Sequence, residues 1–185
     1  MPRPVEHRKL RESWDVAGHA HELTFSTDKR RPILLLPGVA DAFLKVLDQA
    51  RRQHSFELWA YVVMPEHVHL LVAPKGEEYS MAEILKAIKI PASKAIFELH
   101  PRLREECRVP RNGRPDEFRL WLPGGGYDRN VVTTRTVSHV IRYIHANPFR
   151  RGLCDEETDW PWSSRKAYLG EETPIPVDIP WSNGT

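Results

Sequence analysis

Apolar residues recur three or four positions apart in three segments, which is the spacing of one face of an α-helix. The clearest segment is Val39 to His54. Its apolar face consists of Ala40, Phe43, Leu44, Leu47 and Ala50. A second segment runs from Ser80 to Leu99 and begins with Ser80 and Glu83 at the spacing of a capping box. The third runs from about Thr134 to Ala146. The pattern predicts three amphipathic helices.

Two prolines set the expected limits of these helices. Pro91 lies inside the second segment and is expected to kink or break it, because proline removes a backbone hydrogen bond and its ring crowds the preceding turn. Pro148 follows the third segment. We expect that helix to stop before it, because the residue preceding a proline disfavours helical backbone.

Strand-like segments alternate with the helices. His21 to Ser26 is a short predicted strand, Leu58 to Ala73 contains a strong one, and Phe118 to Leu122 is a weak candidate for a strand or turn. Gly124 to Gly126 is predicted to be a loop. The order strand, helix, strand, helix, weak strand, helix predicts an α+β fold, with an antiparallel sheet and helices on one face.

Alternation within the long strand segment separates apolar side chains from two histidines. One predicted face holds Val62, Met64, Val68, Leu70 and Val72. His67 and His69 lie on the opposite face, about 6.5 Å apart along the strand. Two imidazoles in this relation can both reach one divalent metal ion, whose other positions water or phosphate would fill. The alternative is a pair of solvent-facing histidines on an amphipathic strand.

The third helix presents a phenol and a carboxamide on the same side. Tyr143 and Asn147 are four residues apart, at the edge of the apolar stripe. A phenol is a poor nucleophile near neutral pH because its pKa is about 10, and a metal that polarises a phosphate would make its attack feasible. Asn147 could supply an oxygen ligand to that metal. Alternatively, Tyr143 is a packing residue and Asn147 a helix stop.

Charge is unevenly distributed although the net charge is only +2. Residues 101–151 hold eleven Arg and no Lys against five acidic residues, whereas residues 152–185 hold seven acidic residues against two basic ones. Arginine side chains suit phosphate oxygens, so the arginine-rich segment is a candidate phosphate-binding surface, although a solvated charged face has the same composition. The candidates are Arg102, Arg104, Arg108, Arg111, Arg114, Arg142, Arg150 and Arg151.

Other features place the chain among soluble proteins of a reducing compartment. Cys107 and Cys154 are too few for a disulfide scaffold and lack metal-knuckle spacing. The polar N-terminus has no apolar core of a secretory signal, and the longest aliphatic run, Ile33 to Leu36, is far too short to cross a membrane. We expect a cytoplasmic protein without a membrane partner.

Three motifs together resemble the REP-associated tyrosine transposases, which belong to the HUH family of single-strand DNA transposases and nucleases. They are WAYVVMPEHVHLLV at Trp59 to Val72, RYIHANPFRRGL at Arg142 to Leu153, and DWPWSS at Asp159 to Ser164. The resemblance extends from about His21 to Tyr168. It implies a ferredoxin-like core and cleavage of single-stranded or hairpin DNA by transesterification, with a 5′-phosphotyrosine intermediate.

The resemblance also implies roles for individual residues. His67 and His69 match the metal-binding pair, and Tyr143 matches the nucleophile. Asn147 matches a polar position that is a metal ligand in related insertion-sequence transposases. The implied ion is Mg²⁺ or Mn²⁺, and the implied DNA target is a short palindromic repeat with unpaired flanking bases. Relatives include monomers and homodimers, and both remain open for this chain.

One segment departs from the family pattern. Relatives often carry a Trp-Gln stretch before the tyrosine helix, whereas Leu120 to Asp128 has no glutamine and contains three glycines. Tyr127 lies in this segment and is a rival nucleophile. Tyr143 is preferred because it lies on a helix in a Tyr-Ile-x-x-Asn-Pro context, whereas Tyr127 follows flexible glycines.

Three other functions stay open. The chain could be a domesticated hairpin-binding protein that does not cleave, or a replication-initiator nuclease of the same superfamily, although no helicase segment is seen. It could also be a histidine-metal nucleotide hydrolase, but position 71, where a third histidine would be needed, is Leu. We expect an N-terminal extension at 1–20, a catalytic domain at 21–153 and a proline-rich acidic tail at 154–185, which could be disordered or cover the basic site.

Overall fold

The computed structural model describes residues 14–181. In chain order, its strands and helices are β1 (Ala20–Ser26), α1 (Val39–Gln53), β2 (Phe56–Val63), β3 (His67–Pro74), α2 (Met81–Leu99), α3 (Pro101–Glu106), β4 (Arg108–Val109), β5 (Glu117–Phe118), β6 (Tyr127–Val131) and α4 (Thr134–Arg150). The main sheet has the strand order β2-β3-β1-β6, and every neighbouring pair is antiparallel. The α+β class and the ferredoxin-like sheet are confirmed.

The two faces of the sheet bury two separate apolar clusters. Val68, Leu70 and Val72 of β3 pack into the larger cluster with α1 and α2. Leu71, on the opposite face of the same strand, packs with α4 in the smaller cluster. The helices therefore lie on both faces, which corrects the prediction that they share one.

The predicted long strand is two strands joined by a tight turn. Because the chain reverses at residues 64–66, the side-chain alternation does not continue from β2 into β3. Val62 and Met64 consequently pack on the α4 side. The prediction that they share a face with Val68 is wrong, because Val68 packs in the other cluster. His67 and His69 do lie on the face opposite Val68, because all three belong to β3.

Both prolines lie inside helices, so α2 is not broken at Pro91 and the prediction that α4 stops before Pro148 is wrong. α2 continues through Pro91, which is exposed, while Ile88 and Ala92 on either side of it are buried. α4 continues through Pro148, which is itself buried, and ends at Arg150. In each helix the buried face extends across the proline, and this packing offsets the missing backbone hydrogen bond.

The glycine segment brings an unpredicted strand, β6, against β1. Gly126 has a φ of 78°, and a Cβ at this position would lie 2.3 Å from the backbone oxygen of Thr24. Only glycine permits so close an approach without displacing the backbone. Tyr127 follows immediately and pairs with Thr24 in the sheet. It therefore begins a strand, directly after the glycines that were predicted to form a loop.

Residues 154–181 pack along β2, at the sheet edge away from β6. Ser163 forms a bridge with Val62, and the indole nitrogen of Trp160 donates to the Val63 carbonyl at 2.9 Å. The Asp178 carboxylate accepts from the backbone nitrogen of Leu58 at 3.0 Å. This segment covers the β2 edge and is ordered by these bonds. The domain limit at 153/154 stays a prediction, and most of the predicted N-terminal extension lies outside the described residues.

Two further predictions concern the environment of the chain. Cys107 and Cys154 are free thiols, as expected. Among the helices of residues 14–181, none combines the length and apolar content that a membrane crossing requires.

Candidate active site between β3 and α4

His67 and His69 form the centre of the site. Their Nε2 atoms are 3.0 Å apart, and the two rings meet nearly at right angles. Adjacent ligand positions of an octahedral metal with bonds of about 2.1 Å are also about 3.0 Å apart. When both Nε2 atoms are unprotonated, their lone pairs repel each other unless a cation lies between them. The pair therefore fits a divalent metal.

A polar side chain lies within hydrogen-bond distance of Nδ1 in each ring. The Nδ1 atom of His69 lies 2.7 Å from the Thr24 hydroxyl, and that of His67 lies 3.0 Å from the Glu66 carboxylate. If each Nδ1–H donates to its oxygen partner, each Nε2 keeps a lone pair on the open side. Such partners fix the tautomer and orientation of metal-binding histidines.

Burial keeps both imidazoles in the neutral form that can bind a metal. It lowers the pKa of His69 to about 3, with the nearby His67 acting in the same direction. Burial also lowers the pKa of His67, although the Glu66 carboxylate opposes this shift. Burial alone would raise the pKa of Glu66. Its hydrogen bonds to Arg151 and His67 and the charge of Arg151 outweigh burial and lower that pKa.

Backbone hydrogen bonds fix the turn that precedes the two histidines. The nitrogen of Thr27 donates to the Glu66 carbonyl at 2.9 Å, and that of Leu34 donates to the Pro65 carbonyl at 3.0 Å. The nitrogen of Met64 donates to the His67 carbonyl at 2.8 Å. The turn that positions the histidine pair is thus tied to the connection between β1 and α1.

α4 places Tyr143 beside His69. The centres of the two rings are 5.6 Å apart in an edge-to-face arrangement, and Tyr143 is 38% exposed. Two turns further on, Arg151 at the C-cap of α4 donates to the Glu66 carboxylate at 2.6 Å. α4 is therefore held against both ends of the histidine site, and it presents a phenol to the space in front of it.

Asn147 lies one turn after Tyr143 and one turn before Arg151, on the same side of α4. Its amide nitrogen donates to the Tyr143 carbonyl at 2.8 Å, and the residue is 9% exposed. Within residues 14–181, no group of three or more His, Cys, Asp or Glu side chains is arranged to hold a metal. A third ligand from residues 14–181 would have to be of another type, and Asn147 stays a prediction for it.

The cleft between the sheet and α4 has a volume of about 430 Å³. Its lining residues are Glu22, Thr24, His69, Tyr127, Arg129, His139, Val140 and Tyr143. Both candidate tyrosines thus lie at the cleft, and the Tyr143 ring packs edge-to-face against His69. Sequence reasoning did not find the polar residues of β1 and β6, since their place depends on strand register. The pairing of Thr24 with His69 would have identified the first of them.

The eight candidate arginines lie in different places. Arg142 and Arg150 share α4 with Tyr143, and Arg151 is the C-cap of that helix. The Arg150 guanidinium lies 5.8 Å from the Tyr143 ring centre. The others belong to α3 or to residues 108–114. Several already have partners: Arg108 with Asp116, Arg111 with Glu117, Arg151 with Glu66, and Arg104 over the Phe118 ring. DNA contact stays a prediction for all eight.

Residues 15–147 match the sequence profile of the family described as "Transposase IS200 like". The REP-associated tyrosine transposase of Escherichia coli is 25% identical over 117 residues, which are 63% of this chain and 58% of that protein. The ISDra2 transposase TnpA of Deinococcus radiodurans is 28% identical over 146 residues, which are 77% of this chain and 92% of that protein. The chain thus spans less than two thirds of the E. coli relative.

A solved structure has the same fold. It is described as a REP-associated tyrosine transposase bound to a REP hairpin, and it superposes with a TM-score of 0.64. The match covers 93% of each chain at 18% sequence identity. At this identity the likeness establishes the fold alone.

Proposed function

Because the chain belongs to the IS200-like transposase family, whose profile spans residues 15–147, we propose that it cuts and rejoins single-stranded DNA through a 5′-phosphotyrosine on Tyr143. The observation that carries the proposal is the meeting of three side chains. The Nε2 atoms of His67 and His69 converge at 3.0 Å, and the Tyr143 ring lies 5.6 Å from the His69 ring. A metal-binding pair beside an exposed phenol is suited to transesterification at a phosphate.

In the proposed step, the phenol oxygen of Tyr143 attacks the scissile phosphorus as its proton is lost to solvent. The bond from phosphorus to the 3′ oxygen breaks, and that oxygen takes up a proton to become a free 3′-hydroxyl. A DNA 3′-hydroxyl later attacks the phosphotyrosine and releases Tyr143. One phosphodiester is exchanged for another, so no external energy source is required.

His67 and His69 would hold the metal, with Asn147 as a third ligand through its carboxamide oxygen. The donors are two neutral imidazoles and an oxygen, a set compatible with Mn²⁺ or Mg²⁺. When bound, either ion would polarise the scissile phosphate. The protein's own contribution is to hold both imidazoles neutral through burial and to keep Tyr143 facing them on α4.

The proposed substrate is a palindromic repeat that folds into a hairpin with unpaired flanking bases. The names of the E. coli relative and of the solved structure support this choice. Arg142 and Arg150, on exposed turns of α4 beside Tyr143, are suitable phosphate contacts. The other six candidate arginines are proposed as contacts along the rest of the DNA. The cytoplasmic location is part of the proposal, and the protein would act as a monomer or a homodimer.

The test is a covalent adduct on a denaturing gel. The protein is incubated with Mn²⁺ and single-stranded oligonucleotides that carry the palindromic repeats flanking its own gene. Tyr143→Phe should form no adduct. Tyr127→Phe is the matched control and should still form one.

Three other results would count against the proposal. An adduct that survives in Tyr143→Phe and disappears in Tyr127→Phe would move the nucleophile to Tyr127. Hairpin binding without any adduct would favour a protein that binds DNA and does not cleave it. An adduct that forms equally well in EDTA would remove the metal from the proposal.

A further inference from the structure

The cleft continues beyond His69 and Tyr143 into an end that the proposed reaction does not use. Its floor consists of two cross-strand pairs between β1 and β6, in which Glu22 lies opposite Arg129 and Thr24 lies opposite Tyr127. Residues two apart on a strand share a face. All four side chains therefore line the same cleft as His69.

Glu22 and Arg129 form an ion pair at the bottom of this end. Glu22 is only 6% exposed, and its Oε2 atom accepts from Nε of Arg129 at 2.9 Å and also from Nη2. A carboxylate this deeply buried requires such a partner. The Arg129 side chain is 31% exposed. One edge of its guanidinium is thus fixed by Glu22, while Nη1 donates to no acceptor among residues 14–181.

The pair is better suited to a nucleobase than to a phosphate. Its two charges compensate each other, so it exerts little long-range attraction on a phosphate. What Arg129 offers is a planar set of N–H donors in a fixed orientation, which matches the O6 and N7 acceptors of guanine. Tyr127, at 38% exposure, adds an aromatic surface beside these donors, and unpaired bases stack on such surfaces.

We infer that this end of the cleft is a subsite for one unpaired guanine next to the scissile phosphate. Arg129, oriented by Glu22, selects the base, and Tyr127 supports its ring. The inference rests on the proposed function, since it assumes that single-stranded DNA enters the cleft. It adds a source of sequence preference within the protein that is separate from recognition of the hairpin.

The test measures binding without cleavage. Fluorescence anisotropy in EDTA would compare two labelled 12-nucleotide strands, one of thymidines alone and one of alternating guanosine and thymidine. The wild-type protein should bind the guanine-containing strand at least about fivefold more tightly, as one good bidentate contact would provide. Arg129→Lys keeps the charge beside Glu22 but loses the planar fork. It should reduce the preference to less than about twofold while binding of the thymidine strand changes little.

Two further variants separate base selection from a general effect on DNA binding or folding. Glu22→Gln keeps a hydrogen-bond acceptor but frees the charge of Arg129. It should strengthen binding of both strands and reduce the guanine preference. Arg52→Lys, on α1 and outside the cleft, should leave the affinity for both strands and the guanine preference at their wild-type values. Thermal unfolding of each variant identifies any that fail to fold.

Three outcomes would overturn the inference. A wild-type protein without guanine preference has no such subsite. An Arg129→Lys variant that keeps the preference shows that Arg129 does not select the base. Equal weakening of both strands in that variant makes Arg129 a phosphate contact. The adduct assay is independent, since cleavage without guanine preference would leave the proposed function standing, and guanine preference without an adduct would leave the subsite standing.

Discussion

At the scale of single residues, the site depends on partners that orient the two histidines. Thr24 and Glu66 hold the two imidazoles from behind, and Glu66 also accepts from Arg151. Glu66 therefore connects a metal-binding candidate on β3 to the helix that carries Tyr143. Replacement of such a partner should alter metal affinity while the histidines themselves remain.

Thr24→Val should weaken Mn²⁺ binding about 10- to 100-fold, the usual effect of removing the partner of a metal-binding histidine. Valine has nearly the same shape as threonine but cannot accept from Nδ1 of His69, which lies 2.7 Å from the hydroxyl. Isothermal titration with Mn²⁺ measures the change. Thr134→Val, at an exposed position of α4, is the matched control and should bind like wild type. Unchanged affinity in Thr24→Val would exclude this role for Thr24.

His145 should make stability depend on pH. Burial, with a smaller contribution from the Arg165 charge, lowers the pKa of His145 to about 3, whereas an unfolded histidine has a pKa of about 6.5. Below pH 6.5 the unfolded chain binds a proton that the folded protein excludes. The stabilisation is therefore complete above pH 6.5 and is lost as pH falls toward 3, by at most about 1.4 kcal/mol per pH unit.

Urea unfolding in EDTA between pH 7 and pH 4 tests this expectation. His145→Gln retains a group that can bond Ser164 but has no titrating ring, so its free energy of unfolding should fall less steeply than that of wild type. His54→Gln, at an exposed position, should follow the wild-type curve. Parallel curves for wild type and His145→Gln would contradict the expected contribution of His145.

At the scale of elements, β6 can lie close to β1 because residue 126, which precedes it, is a glycine. Gly126→Ala should destabilise the protein by more than about 1 kcal/mol, because the new Cβ would lie 2.3 Å from the Thr24 oxygen and φ is positive. Gly125→Ala is the control, since the nearest atom to its new Cβ would be 3.9 Å away. Urea unfolding compares the two. If Gly126→Ala were as stable as Gly125→Ala, the close contact of β6 with β1 would not be required.

Features contained within one segment could be predicted from the sequence, whereas contacts between distant segments could not. The helix α1 follows from a periodicity contained within one segment, and so do most of the limits of α2 and α4. The histidine pair and Tyr143 were found because each lies in a short motif. Arg129 and Glu22 could not be found in this way, because they are distant in sequence and meet only through the register of β1 with β6. The helix limits expected at Pro91 and Pro148 were wrong because tertiary packing outweighs the local preference of proline against helix.

At the scale of the whole molecule, the acidic C-terminal segment is part of the fold. Ser164 illustrates this, since its hydroxyl accepts from the Tyr61 nitrogen at 2.9 Å and lies 2.8 Å from Nε2 of His145. The segment thus ties the edge strand β2 to the inner side of α4. The predicted alternative of a disordered tail does not hold for residues 154–181. The side chains of this segment bond to β2 and α4 and, through Trp162 and Asp178, to α1.

Ser164→Ala should lower the free energy of unfolding by about 1–3 kcal/mol, because it leaves the buried Tyr61 nitrogen without its acceptor. Ser138→Ala removes a hydroxyl that bonds only its own helix and should cost much less. Urea unfolding measures both variants, and DNA affinity of the folded Ser164→Ala protein should equal that of wild type. An increase in DNA affinity would instead support the hypothesis that the segment covers a basic site.

The hydrogen-bonded turn before the two histidines should also limit how far they move. Its hydrogen bonds join Thr27, Leu34 and Met64 to one short stretch of backbone, so this stretch can open only if contacts from several parts of the chain break together. The imidazoles should then hardly change position between the free and the DNA-bound protein. The conformational entropy lost on binding would then come mainly from the flexible DNA strand. Discrimination among substrates would depend on how readily each strand adopts the shape of a cleft that is already formed.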